Sequence, residues 1–218
     1  MNFPKLIWCG SHLVAILILE RRARTWREKV MRPSFGYSTR KAAQVAAFFA
    51  ICEGGSINVL KLAKLLYLGD REHLRRFDMP ILFDKFVSMD HGPVTSTTLY
   101  YVNGYEEDRA NWDAFVTDRD RYAVGVASSS LTPDDLDELS DAELETLQTV
   151  WTQFGAMDRY TVRDWTHEHC GEWEDPNGSS MPIPYERVLK FLGKEHHAVI
   201  AQEIESIRSL SKSISLAQ

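Results

Sequence analysis

Four adjacent residues, His167-Glu168-His169-Cys170, place two imidazoles, a carboxylate and a thiol within about one turn of chain. Such side chains ligate metals or move protons. Their spacing limits them. On a helix, positions i and i+2 point to opposite sides, so His167 and His169 do not share one metal, whereas His167 and Cys170 do face together. A structural metal site would need two remote ligands, for which His91 and His73 have the right chemistry. His91 stands at a corner, in the stretch "SMDHGPVTSTTLY" (88–100), beside Gly92-Pro93. A histidine there can bind a metal or act in proton transfer, though its more ordinary use is a hydrogen bond to a helix start. No phosphate-binding glycine loop with lysine occurs, and neither does a G-x-S-x-G elbow or an H-E-x-x-H pair. The reading is therefore of a protein without catalytic residues, metal or cofactor. A metal-dependent enzyme built on His91, His167 and Cys170 is the alternative.

The elements that must position these residues are mostly helical. Ser38 or Thr39 can cap a helix with Ala42, Val45, Ala46, Phe49 and Cys52 on one face, stopped by Gly54-Gly55. A second start at Asn58 leads into "VLKLAKLLYLGDREHLRRF", apolar on most sides and so expected in the middle of a domain. Lys61 and Lys64 are expected on the narrow polar strip that remains. "KFVSM" reads as a short extended piece. Gly92 supplies a bend, and Pro93 suits the first position of a following helix carrying Val94, Thr98, Tyr101 and Tyr105 on one face. Residues 112–129 read as a small hairpin with alternating strands. "LSDAELETLQTVWTQFG" is a helix with a Ser140–Glu143 capping box. "TVRDWTHEH" is expected to start at Thr161 and close at Gly171, and Pro184 to open "YERVLKFLG". The fold class is mainly α, a compact helical domain with a small β-hairpin element.

Composition bounds the function. A chain of 218 residues with 44% hydrophobic and 26% charged residues is that of an ordinary globular protein. Its cysteines, Cys9, Cys52 and Cys170, are odd in number and far apart, which argues for a reducing, cytoplasmic setting. The net charge of −6 disfavours non-specific nucleic-acid binding. A helix-turn-helix reading of residues 42–68 fails chemically, since "LKLAKLLYLG" offers leucine where base edges need polar groups. Charge is unevenly spread. Residues 1–32 hold seven basic and two acidic side chains, while no Lys or Arg lies between Arg121 and Arg159. The acidic run there is a solvated helix face or a surface that steers a basic partner. The apolar run 6–19 is too short for the roughly 20 residues of a spanning helix. Residues 1–35 are read as a basic N-terminal leader, either appended ahead of Met31 or acting as a docking helix, and no membrane partner is expected.

Four stretches in order, "LKLAKLLYLGDREHL", "FVSMDHGPVTSTTLY", "LSDAELETL…FG" and "TVRDWTHEH…EW", resemble the Panacea domain of SocA-like antitoxins. The resemblance covers residues 36–193 and leaves residues 194–218 as an amphipathic helix and tail. It implies a helical domain with a small β element that neutralises a cognate toxin by direct binding, with delivery of that toxin to an ATP-dependent protease as a further role. Nucleic acid would be engaged only indirectly, through autorepression as a toxin complex. Positions carried over are Lys61, Lys64, Tyr67, His91, Gly92, Pro93, Val94, His167 and Trp173, with Ala63 departing from the family's usual glutamine. Partner contact is expected from Lys61, Lys64, Tyr67, His91 and Tyr100. Gly92, Pro93, Val94, His167 and Trp173 are expected to be structural. In the last helix, Ile200, Ile204 and Ile207 form a stripe suited either to a partner's groove or to packing back on the domain.

Overall fold

The computed structural model describes residues 36–106 and 109–215. The basic leader over 1–35 lies outside the described residues. The first helix, α1 (Thr39–Cys52), is capped by Ser38, whose hydroxyl accepts Lys41 N. Five of its residues are alanines buried at its centre, so neighbouring backbones approach closely. Gly54 and Gly55, both with positive φ, turn the chain into β1 (Ser56–Asn58). Asn58 then caps α2 (Val59–Phe77) by accepting Leu60 N at 3.0 Å and Lys61 N at 3.4 Å. This helix is buried from Val59 through Asp70 apart from Leu60. It is the central element, with α1, α5 (Asp141–Phe154) and α6 (Arg159–His169) packed around it.

Two small antiparallel sheets complete the fold. In one, β2 (Phe86–Met89) pairs with β3 (Gly92–Thr95) on one side and β5 (Met181–Ile183) on the other. In the other, β1 pairs with β4 (Ala123–Gly125). The remaining helices are α3 (Ser96–Asn103), α4 (Ala110–Asp113), α7 (Tyr185–Phe191) and α8 (His197–Ser215). The mainly α class with minor β stands, and α1, α2, α5 and α7 start where their caps were expected. The Ser140–Glu143 capping box is formed on both sides.

Three local expectations are corrected. Pro93 does not open a helix: it lies in β3 opposite Ser88, and Asp90-His91 form a two-residue hairpin loop. The helix begins at Ser96 because the buried Asp84 carboxylate accepts Thr97 N at 2.9 Å and Thr98 N at 2.7 Å, a cap supplied from outside the helix. Residues 115–126 make only isolated bridges, at Val116–Val126 and Asp120–Ala123, because β4 finds its ladder on β1. Finally the cap of α6 lies three residues before Thr161, at Asp158, which accepts Tyr160 N at 2.8 Å and Thr161 N at 3.2 Å. Among the described residues, no helix is long and apolar enough to cross a membrane.

Candidate functional site

Lys64 lies at the centre of the site. Its position on α2 faces β3 and α6 rather than water, and it is fully buried. Its ammonium donates to the Pro93 carbonyl at 2.9 Å, tying α2 to the hairpin. Burial pulls its pKa down to about 7; the nearby Arg163 adds to this and Cys170 opposes it. One turn on, the Tyr67 hydroxyl donates to the Glu172 carboxylate, which also accepts Arg71 Nε at 2.6 Å and a terminal Arg71 nitrogen at 3.3 Å. Glu172 is entirely buried, so this triad fastens the segment after α6 to α2. Burial pushes the adjacent Cys170 thiol up to about 12, which makes it an inert packing group.

The hairpin tip closes against α6. Gly92 has φ +92°, and a side chain there would sit 2.8 Å from Thr166 Oγ1 and 3.0 Å from the His167 ring. Only glycine meets both demands. His167 stacks on Trp173 with ring centres 4.3 Å apart, and Trp173 Nε1 donates to the Met89 carbonyl at 3.0 Å. Asp90 Oδ1 accepts Gly178 N at 3.0 Å. The tip is thus held on both flanks. His167 Nε2 is buried without a hydrogen-bond partner, and burial, then Lys64 and Arg163, lower its pKa, which keeps the ring neutral. His91 is exposed at the turn.

Lys64, Tyr67, Gly92, Pro93, Val94, His167 and Trp173 therefore converge on one structural node. They span α2, the hairpin and α6, more than one hundred positions apart in sequence. A match to the family model described as antitoxin SocA-like, Panacea domain, covers residues 62–174, the span of this node. The chain belongs to the SocA-like antitoxin family, Panacea domain. No curated protein and no solved structure matches it. Family membership supports an antitoxin role, with a toxin as the partner.

Within this Panacea domain several expected contact residues take other places. Lys61 and Lys64 do not lie on a polar strip. Lys61 is 5% exposed; its ammonium donates to Glu53 at 2.5 Å and to the Gly155 carbonyl at 2.8 Å, over the Trp151 ring. Tyr67 is fully buried. From Lys61 to Asp70 helix α2 is enclosed on all sides, so the lysine stems run inside and their heads end on internal acceptors. Tyr100 is 51% exposed and packs near Tyr105. Ile204 is wholly buried and Ile200 and Ile207 half-buried, because α8 lays this stripe on its own domain. Arg208 Nε reinforces that packing by donating to the Phe83 carbonyl at 3.1 Å. The isoleucines are thus not free anchors for a partner's groove.

The metal-ligand alternative is not assembled. His91 is exposed, His167 is stacked, and His73 Nδ1 lies 2.7 Å from the Met79 carbonyl. Among the described residues, no group of three or more His, Cys, Asp or Glu could hold a metal ion. The acidic run is largely committed within the fold. Asp137 accepts Arg40 and Gln44, Glu143 accepts Lys41, and Glu145 accepts Arg76. Sequence reading missed the Tyr67–Glu172–Arg71 triad and the Asp84 cap. Its one available signal was charge in apolar surroundings, such as Asp70 after "LLYLG". Asp70 Oδ1 accepts Ile81 N and Leu82 N, and burial raises its pKa to about 8.

Proposed function

We propose that this Panacea domain neutralises a cognate toxin by direct protein–protein binding, with the hairpin tip and the exposed side of α6 as the contact surface. The observation that carries this reading is the doubly anchored tip. Lys64 and Thr166–His167 hold a two-residue turn from behind, while His91, Met89 and Trp173 remain accessible on it. A turn held this firmly costs little to order on binding, so contacts made by it translate into affinity. The family match supplies the class of partner.

Co-expression with the gene encoded next to this one tests the reading. The expected outcome is that the neighbour arrests growth alone and that this chain restores it, with the two proteins co-purifying. A harmless neighbour, or toxicity undiminished by this chain, would sink the proposal. The same strains separate masking from delivery to a protease: delivery shortens the toxin's half-life when this chain is present, and masking leaves it unchanged.

A further inference from the structure

A groove of about 590 Å³ runs along the opposite end of α6, lined by Glu53, Asn58, Lys61, Met157, Arg159 and Tyr160 among others. It is a shallow depression open to solvent, suited to a segment laid on the surface and not to an enclosed small molecule. Its charges are unequally committed. Glu53 is held by Lys61 at 2.5 Å. Asp158 is spent on the α6 amides and on Thr161 Oγ1. Arg163 is paired with Asp164 at 2.6 Å. Arg159, in contrast, is exposed and has no salt-bridge partner within 4 Å among the described residues, although it helps hold the neighbouring Asp158 carboxylate's pKa down.

Arg159 is nonetheless placed. Its guanidinium lies 4.7 Å from the centre of the Tyr160 ring, and one terminal nitrogen donates to the Tyr160 hydroxyl at 3.2 Å. Arg163 flanks the same ring at 5.2 Å. An arginine resting on an aromatic face keeps its edge N–H groups free for a carboxylate, and stacking reduces the entropy lost when the bond forms. Tyrosine, arginine and methionine are also the side chains that protein interfaces favour. Tyr160 is 49% exposed at the lip.

We propose that this groove receives an acidic segment of the toxin, one carboxylate of which is bound by Arg159 against Tyr160. The proposal rests on the antitoxin reading and extends its footprint. Along α6, Arg159 at the groove and His167 at the hairpin tip are eight residues apart, about 12 Å along the axis. Groove and tip together fit within one interface of ordinary size.

The test uses the full chain and the protein encoded beside it, with affinity measured by titration calorimetry for wild type, Arg159→Glu, Tyr160→Ala and, as an exposed control outside the groove lining, Lys190→Glu. Arg159 is the first residue of α6, where an acid is favourable to the helix dipole. Arg159→Glu is therefore expected to melt no lower than wild type, which removes unfolding as an explanation. Arg159→Glu and Tyr160→Ala are each expected to weaken binding about tenfold or more. The Arg159→Glu complex should also lose most of the salt sensitivity of the wild-type complex. Wild-type affinity in Arg159→Glu would overturn the groove and leave the antitoxin reading standing. Failure of the wild-type chain to bind or protect would remove both.

Discussion

At the residue scale, the informative side chain is one that sequence periodicity misplaces. Lys64 occupies a position that a helical wheel assigns to the polar edge, yet α2 has no polar edge where three helices and a strand surround it. Periodicity reports which residues share a face; it does not report how many faces are covered. The consequence is measurable. The unfolded chain holds the Lys64 proton up to about 10.5 and the folded chain only up to about 7. Between those values the unfolded state binds more protons, so this residue makes stability rise with pH. Asp70 and Cys170 also titrate in this range, but they are common to wild type and Lys64→Met, so the difference between the two proteins over pH 8 to 9 reports the lysine. Over that unit, wild type should gain about 1 kcal/mol relative to Lys64→Met in urea unfolding. An identical pH slope in both proteins would mean that the ammonium is hydrated. Lys64→Glu is a different change. It aims a buried carboxylate at the Pro93 carbonyl and should cost roughly 3 kcal/mol or more, so it reports on folding and not on toxin contact.

At the element scale, most helices were legible and the hairpin was not. Ser38, Asn58 and Ser140 announce α1, α2 and α5 through local caps, and a local cap is encoded within four residues. Gly92-Pro93 is ambiguous because proline fits both a helix start and a strand that does not use its amide. The decision comes from Asp84, thirteen residues before Thr97, the second residue of α3, and from β5, whose residues lie more than ninety positions after their partners in β2. Neither partner can be read from the stretch itself. Gly92→Ala tests the resulting geometry. It imposes an unfavourable φ and drives a methyl group into Thr166 and His167, which are packed and cannot simply swing away. The expected cost is about 1–3 kcal/mol in thermal or urea unfolding. Because the tip must lift, Trp173 should lose its bond to the Met89 carbonyl, and its fluorescence should shift toward that of a hydrated indole. Wild-type stability with unchanged Trp173 emission would mean that the tip is not held against α6.

At the scale of the whole molecule, α8 shows how an element outside the family match can still belong to the core. The match ends at residue 174, and the sequence of α8 alone fits a free amphipathic helix as well as a packed one. The difference lies in what faces it. Its stripe meets α7, which a few turn residues place alongside, and Ala201 and Ile204 are buried there while Val199 and Leu210 stay exposed. Arg208 crosses to the Phe83 carbonyl and lies over the Tyr185 ring, linking the helix to the approach of β2. The far end comes close to Gly36, beside the start of α1, where Ser211 fills the space that a side chain would need. Removing a fully buried isoleucine leaves a cavity, and Ile204→Ala should therefore cost about 2–5 kcal/mol in urea unfolding. Leu210→Ala, on an exposed position of the same helix, should change stability by less than about 0.5 kcal/mol. Toxin binding by Ile204→Ala, measured at a temperature where the variant remains folded, should stay at the wild-type value. If Ile204→Ala instead unfolds like wild type but loses its toxin, α8 leaves the domain to dock on the partner, and the packed stripe is only its resting place.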